Sequence, residues 1–121
     1  MKLSSYKNLE VWQVSVDLVD EVYKISRNFP KSETYGLGSQ IQRAAVAIPS
    51  NIAEGYCRNH RKEYIQFLGV AYASSAELET QLIIAGRQYP ELDYTKANEL
   101  LVRVMKMLYV LIEKLKYSPV A

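Results

Sequence analysis

Thiol and imidazole side chains are nearly absent from this 121-residue chain. It has one cysteine, Cys57, and one histidine, His60. A single thiol cannot close a disulfide within the chain, so no covalent staple holds the fold, and the expected compartment is the reducing cytoplasm. A structural zinc site takes about four nitrogen or sulfur ligands, which one Cys and one His do not supply. Di-metal helical bundles place Glu-x-x-His pairs on facing helices; the residue three before His60 is Cys57, so that ligand set is missing too. No metal or cofactor is expected. Glycine (5) and proline (4) are also scarce, which leaves long elements uninterrupted. Long apolar runs are lacking. The longest uncharged stretch of the greasiest segment, Met107 to Ile112, is six residues, against about 20 for a membrane span. The first residues, MKLSSYKNLEVW, contain no apolar stretch of the signal-peptide kind. Neither phosphate-cradling glycine motif, G-x-x-x-x-G-K-[ST] or G-x-G-x-x-G, occurs.

What is present is ordinary for a folded domain. Hydrophobic residues make up 49% and charged residues 23%, with a net charge of +2. That apolar content supports a core and argues against disorder. The length predicts one domain over residues 1–121.

Four segments carry helical periodicity. In the first, about Asn8 to Arg27, two stripes run side by side: Leu9, Trp12, Val16, Val19, Tyr23 and Val11, Ser15, Leu18, Val22, Ile25. Phe29-Pro30 ends it, because a residue before proline is pushed out of helical geometry. A connection from Phe29 to Ser39 has room for a short helical turn starting at Ser32. The second helix, about Ser39 to Tyr56, carries Ile41, Ala44, Ala45, Ile48, Ile52 and Ala53 on one face. The third, about Asn59 to Arg87 with Asn59 as N-cap, repeats Tyr64, Leu68, Ala71, Ser75, Leu78, Leu82 and Ala85. Its centre, GVAYASSA, suits close approach to the alanine-rich second helix. Tyr89-Pro90 ends it. The fourth, about Asp93 to Tyr117 with Asp93 as N-cap, repeats Ala97, Leu101, Val104, Leu108, Leu111 and Leu115. No segment alternates as a strand does. The expected fold is all-α, an antiparallel up-down-up-down four-helix bundle.

Pro49 falls inside the second helix. There it removes one backbone hydrogen bond and crowds the Ala45 carbonyl, a cost of about 3 kcal/mol if uncompensated. The apolar phase Ala45, Ile48, Ile52 passes through it without a slip, which favours a helix kinked at Pro49 over a break. Ser50 or Asn51 is expected to reach the freed backbone groups.

The fourth helix has more apolar surface than one stripe: twelve of the sixteen residues from Leu100 to Leu115 are apolar. The first helix shares this excess to a lesser degree. Surplus apolar surface on a small protein marks a partner site, and a second copy is the simplest partner.

Charge is unevenly spread. Residues 31–62 hold five basic and two acidic residues, net +3, and residues 63–90 are net −2. Arg58, Arg61 and Lys62 cluster at the corner between the second and third helices, with Tyr56 and Tyr64 nearby; Arg43 shares a helix face with Ser50 and Glu54. Cations interleaved with tyrosines can hold phosphates and stack bases. Arg43, Arg58, Arg61 and Lys62 are therefore the candidate nucleic-acid-binding residues. No catalytic constellation is discernible: His60 lies between cations with no nucleophile placed beside it.

The order of short motifs is itself informative. Leu9-Glu10-Val11-Trp12-Gln13, Phe29-Pro30, Tyr35-Gly36-Leu37, Ser39-Gln40 and Arg43-Ala44-Ala45 precede the specific block Ile48-Pro49-Ser50-Asn51-Ile52-Ala53-Glu54-Gly55. Glu63-Tyr64, Phe67-Leu68 and Ala76-Glu77-Leu78-Glu79-Thr80 follow. Together they resemble the four helix bundle proteins of the 23S rRNA intervening sequence family. The resemblance implies a bacterial cytosolic four-helix bundle that assembles as a homopentameric ring. It also implies kinship with accessory proteins of diversity-generating retroelements, pentameric bundles that contact nucleic acid and a reverse transcriptase. The family brings no catalytic residues with it.

The expected function is thus a non-enzymatic, oligomeric helical module that binds RNA or another nucleic acid. The alternative is a protein-interaction scaffold or accessory subunit without nucleic-acid binding. An enzyme is disfavoured by the missing constellation.

Overall fold

The computed structural model describes residues 5–117. These form four long helices, α1 (Glu10–Ser26), α2 (Leu37–Cys57), α3 (Arg61–Gln88) and α4 (Thr95–Tyr117), with 3-10 turns at Tyr6–Asn8 and Lys31–Glu33. Among the described residues there is no strand. Each helix packs on two others, in the cycle α1–α2–α3–α4–α1, and the backbones of the diagonal pairs do not approach closely. One core cluster draws on all four helices.

The two stripes of α1 separate in depth. Val11, Ser15, Leu18, Val22 and Ile25 are buried together with Val14, whereas Leu9, Trp12, Val16, Val19 and Tyr23 are half-buried. The apolar arc is wide, and only its centre points at the core. The excess apolar surface expected on α1 is therefore largely absorbed within the chain. Buried Ser15 answers its own hydroxyl by donating to the Trp12 carbonyl at 2.7 Å.

After α1, Phe29 is buried and its ring meets Tyr89 at 5.3 Å. The turn at Lys31–Glu33 begins one residue before Ser32. It aims Glu33 in two directions: one carboxylate oxygen accepts the Leu37 N–H at 3.3 Å, and the other accepts the Tyr89 hydroxyl at 2.5 Å. Tyr94 adds to this clasp, its hydroxyl donating to the carbonyls of Ala85 and Tyr89. The clasp joins the start of α2 to the α3–α4 connection.

α2 starts at Leu37, two residues ahead of the Ser39 expected from the apolar pattern, because Glu33 satisfies its first turn. It continues as one α-helix through Pro49. Asn51 donates to the Ala47 carbonyl at 2.7 Å, not to the Ala45 carbonyl that Pro49 deprives of its donor, and Ser50 is exposed. The expected repair of the proline defect by these side chains is therefore corrected. A side chain two residues past the proline reaches its own i−4 carbonyl, two residues beyond the orphan.

The α2–α3 interface is the most extensive in the molecule. Ala44, Ala45 and Gly55 of α2 and Ala71 and Ser75 of α3 are buried. At Gly55 the helices come so close that an added Cβ would lie 2.7 Å from the Phe67 Cβ and 3.3 Å from the Tyr64 carbonyl oxygen. Only part of the small-residue centre of α3 serves this contact. Gly69, Ala73 and Ala76 are exposed, and a Cβ at Gly69 would meet nothing within 4 Å.

α4 starts at Thr95, with the Asp93 carboxylate accepting the Thr95 N–H at 2.9 Å. The N-cap position is therefore Tyr94, one residue later than the expected Asp93, although the Asp93 side chain still serves the first turn, and the hydrogen bonds to Thr95 hold its carboxyl below the usual range. Leu100 joins Ala97, Leu101, Val104 and Leu108 in the core, while Leu111 and Leu115 are half-buried.

Candidate nucleic-acid interface

α2 ends at Cys57, an exposed free thiol. Arg58 then turns extended (φ −73°, ψ 141°), His60 is extended as well (φ −138°, ψ 132°), and α3 begins at Arg61. The N-cap position is thus His60, one residue later than the expected Asn59, and no side chain caps it. This tight reversal brings Arg58, Arg61 and Lys62 to one corner. A hollow there is lined by Tyr56, Arg58, Asn59, His60, Arg61 and Tyr64, with Leu115 of α4 closing it.

Arg58 is already engaged. Its guanidinium lies 3.0 Å from the Glu54 carboxylate and 3.9 Å from that of Glu63, and it stands over the Phe67 ring at 5.0 Å. All three charged partners are substantially exposed, so these ion pairs orient the guanidinium more than they stabilise the fold. The Glu54 contact was legible from i,i+4 spacing. Glu63 and Phe67 were not foreseen, because their approach depends on how α3 leaves the turn. Lys62 is exposed and makes no ion pair among the described residues; Arg61 is half-buried. The rings of Tyr56 and Tyr64 meet edge to face at 5.9 Å. Burial first, and the neighbouring Tyr56 second, push the Tyr64 phenol up to about 12, so it stays neutral at physiological pH.

Arg43 does not join this corner. It is exposed on α2, fifteen residues before Arg58, which at 1.5 Å per residue is roughly 22 Å along the helix. Its neighbours are Tyr23, Ser39, Gln42, Val46 and Ala47. The four basic residues grouped from the sequence thus divide into a corner trio and a separate arginine.

Apolar side chains also reach the surface. On α4, Val102, Tyr109 and Val110 are exposed, and a groove between α1 and α4 is lined by Leu9, Val11, Met107, Val110 and Leu111. On α3, Val70, Ile83 and Ile84 are exposed, which the stripe analysis did not anticipate. Their positions fall on the side of α3 away from Leu68, Leu78 and Leu82.

Among the described residues no group of three or more His, Cys, Asp or Glu side chains is arranged to hold a metal ion, and no helix is long and apolar enough to cross a membrane. Comparison with curated proteins finds no significant match. The family described as 23S rRNA-intervening sequence protein matches residues 7–110, most of the length of the chain and all of α1 to α3. With three whole helices, most of the fourth and the proline block inside that span, the chain belongs to the 23S rRNA-intervening sequence protein family.

Proposed function

We propose that this protein is a non-enzymatic, self-associating cytoplasmic helical module that binds RNA or another nucleic acid through the α2–α3 corner. The observation that carries the reading is the corner hollow, where Arg58, Arg61 and two tyrosines line one surface and Lys62 adjoins in sequence. Cations there neutralise phosphates, the positive end of the α3 dipole at this corner favours an anion, and the tyrosine faces offer stacking surfaces. The exposed apolar residues of α3 and α4 support self-association, with the ring of five copies that the family resemblance implies. Repetition of the corner around a ring axis makes its field additive.

The test is fluorescence anisotropy with labelled RNA strands at low and moderate salt. Wild-type protein binds with a salt-dependent affinity. Arg58→Ala with Arg61→Ala lowers the log–log salt slope by about 1.4, or about 0.7 per phosphate contact on a single strand. Absence of binding to RNA and DNA at low salt ends the nucleic-acid reading. Sedimentation at working concentrations tests assembly, and a stable monomer removes the ring.

One observation favours a second reading, a protein-interaction scaffold. Arg58 already satisfies two carboxylates, and the exposed apolar surface on α3 and α4 is of the kind that partner proteins cover. That reading requires a stoichiometric protein partner retained after nuclease treatment.

A further inference from the structure

Arg43 has company of its own. The hollow beside it, walled by Tyr23, Ser39, Gln42, Val46 and Ala47, adjoins a second hollow walled by Val19, Asp20, Tyr23, Lys24, Arg27 and Val46. Tyr23 and Val46 form the shared wall, so Arg27 of the α1 end and Arg43 of α2 flank one tyrosine. The Gln42 amide donates to the Ser26 hydroxyl at 2.8 Å, which pins α1 to α2 at this point and holds Arg27 beside the groove. Both arginines are exposed, and neither makes an ion pair among the described residues. Lys24 is paired with Glu21 at 3.0 Å. Asp20 is the one carboxylate lining these two hollows, and it sits on the α1 side; the Arg43 hollow has none in its walls. An anion is therefore directed to the Arg43 side of Tyr23.

The surface between this station and the corner is low. Arg43, Ala47, Ser50 and Glu54 recur at 4, 3 and 4 residues, one face of α2, and the guanidinium of Arg58 folds back onto Glu54. Ala47 and Ser50, the residues in between, are small; Ser50 is exposed and Ala47 half-buried. Glu54, the opposing charge on this face, is paired with Arg58 at 3.0 Å. We propose that Arg27, Arg43 and Tyr23 form a second contact station for a nucleic-acid strand, which runs along the Ala47–Ser50 face of α2 from the basic corner. The separation of roughly 22 Å corresponds to about seven nucleotides of stacked strand at 3.4 Å each. The station extends the corner reading and rests on it.

Strand length separates the two. In the full chain, Arg27→Gln with Arg43→Gln is measured on single strands of about 4 and about 16 nucleotides, within the range that such grooves hold. The long strand loses affinity and about 1.4 of its log–log salt slope, while the short strand, held at the corner, binds as to wild type. Ser50→Glu, which places a like charge midway, weakens the long strand alone. Arg58→Ala with Arg61→Ala weakens both lengths. If the long strand binds the Arg27/Arg43 variant with unchanged affinity and slope while the corner variant loses binding, the second station is wrong and the corner stands. Equal losses on short and long strands also overturn the track. If wild-type protein binds neither length, the corner reading falls and takes the station with it.

Discussion

At the start of α2, Glu33 accepts hydrogen bonds from Leu37 and Tyr89, Phe29 is buried against the Tyr89 ring, and Tyr94 closes the α3–α4 connection onto two carbonyls. At the end of the same helix, Arg58 and Arg61 line a hollow together with Tyr56 and Tyr64, and the ion pairs there are open to water. Both ends use tyrosine and carboxylate, yet to different effect. The first directs them at partners within the chain and acts as a clasp. The second keeps its ion pairs at the surface, where they add little to stability. The lesson is that composition alone does not separate a buried polar clasp from a solvent-exposed charge cluster; the direction of the hydrogen bonds does.

Substitutions at the two ends are expected to separate stability from binding. The largest effect belongs to Phe29→Ala, which empties a buried aromatic site of the clasp and costs about 3–5 kcal/mol. Chemical denaturation reads it as a lowered midpoint, with corner binding retained where the protein is folded. Next is Gly55→Ala, just inside the corner. Its methyl collides with the Phe67 Cβ, and overpacking of this kind costs about 1–3 kcal/mol. The control is Gly69→Ala, which meets nothing and gains about 1 kcal/mol of helix propensity. A neutral Gly55→Ala would show that the α2–α3 contact yields more readily than its distances imply. Tyr94→Phe removes the hydroxyl that bridges Ala85 and Tyr89 and costs about 1 kcal/mol, again by denaturation and without loss of binding.

The smallest effect at neutral pH is the titration of Tyr64. Its phenol is raised from the ordinary value near 10 to about 12 by burial. Below pH 10 the phenol is neutral in both folded and unfolded chains, and its contribution to stability is complete. From about 10 to about 12 the unfolded chain ionises first, so stability falls as pH rises. Tyr89, raised first by its hydrogen bond to Glu33, and Tyr94, raised first by burial, add to the same alkaline loss from the clasp end. Thermal melts across this window read the combined slope, and Tyr64→Phe removes the corner's share while leaving the clasp's.

Much of this architecture is legible from residue order. The seven-residue stripe of α3 from Tyr64 to Ala85 is buried except for half-buried Tyr64, because a single apolar arc at helical period leaves little choice of facing. α1 was ambiguous for the opposite reason: two parallel stripes share its apolar arc, and only packing selects the deeper one. The Glu33–Tyr89 bond joins residues 56 positions apart, and no local pattern encodes such a pairing. At the candidate interface, the reversal between α2 and α3 is readable from the end of the apolar pattern at Tyr56 and the capping residue type at Asn59, to within two residues. The engagement of Arg58 by Glu63 and Phe67 was not, since it follows from the two extended residues that set where α3 begins. Arg43 illustrates the same limit. A shared helix face is visible in spacing, but distance along the axis separates residues on one face as effectively as rotation does.

The cyclic packing order has a kinetic consequence. Three of the four interhelical interfaces join helices that are neighbours in sequence; α1 against α4 is the exception. Chains whose contacts are this local reach the native state in microseconds to milliseconds, because each new contact closes a short loop. Docking α4 onto α1 closes the longest loop and draws least on its neighbours for guidance. It is the step whose mutation should slow refolding most relative to its effect on unfolding, if that seam forms before the transition state.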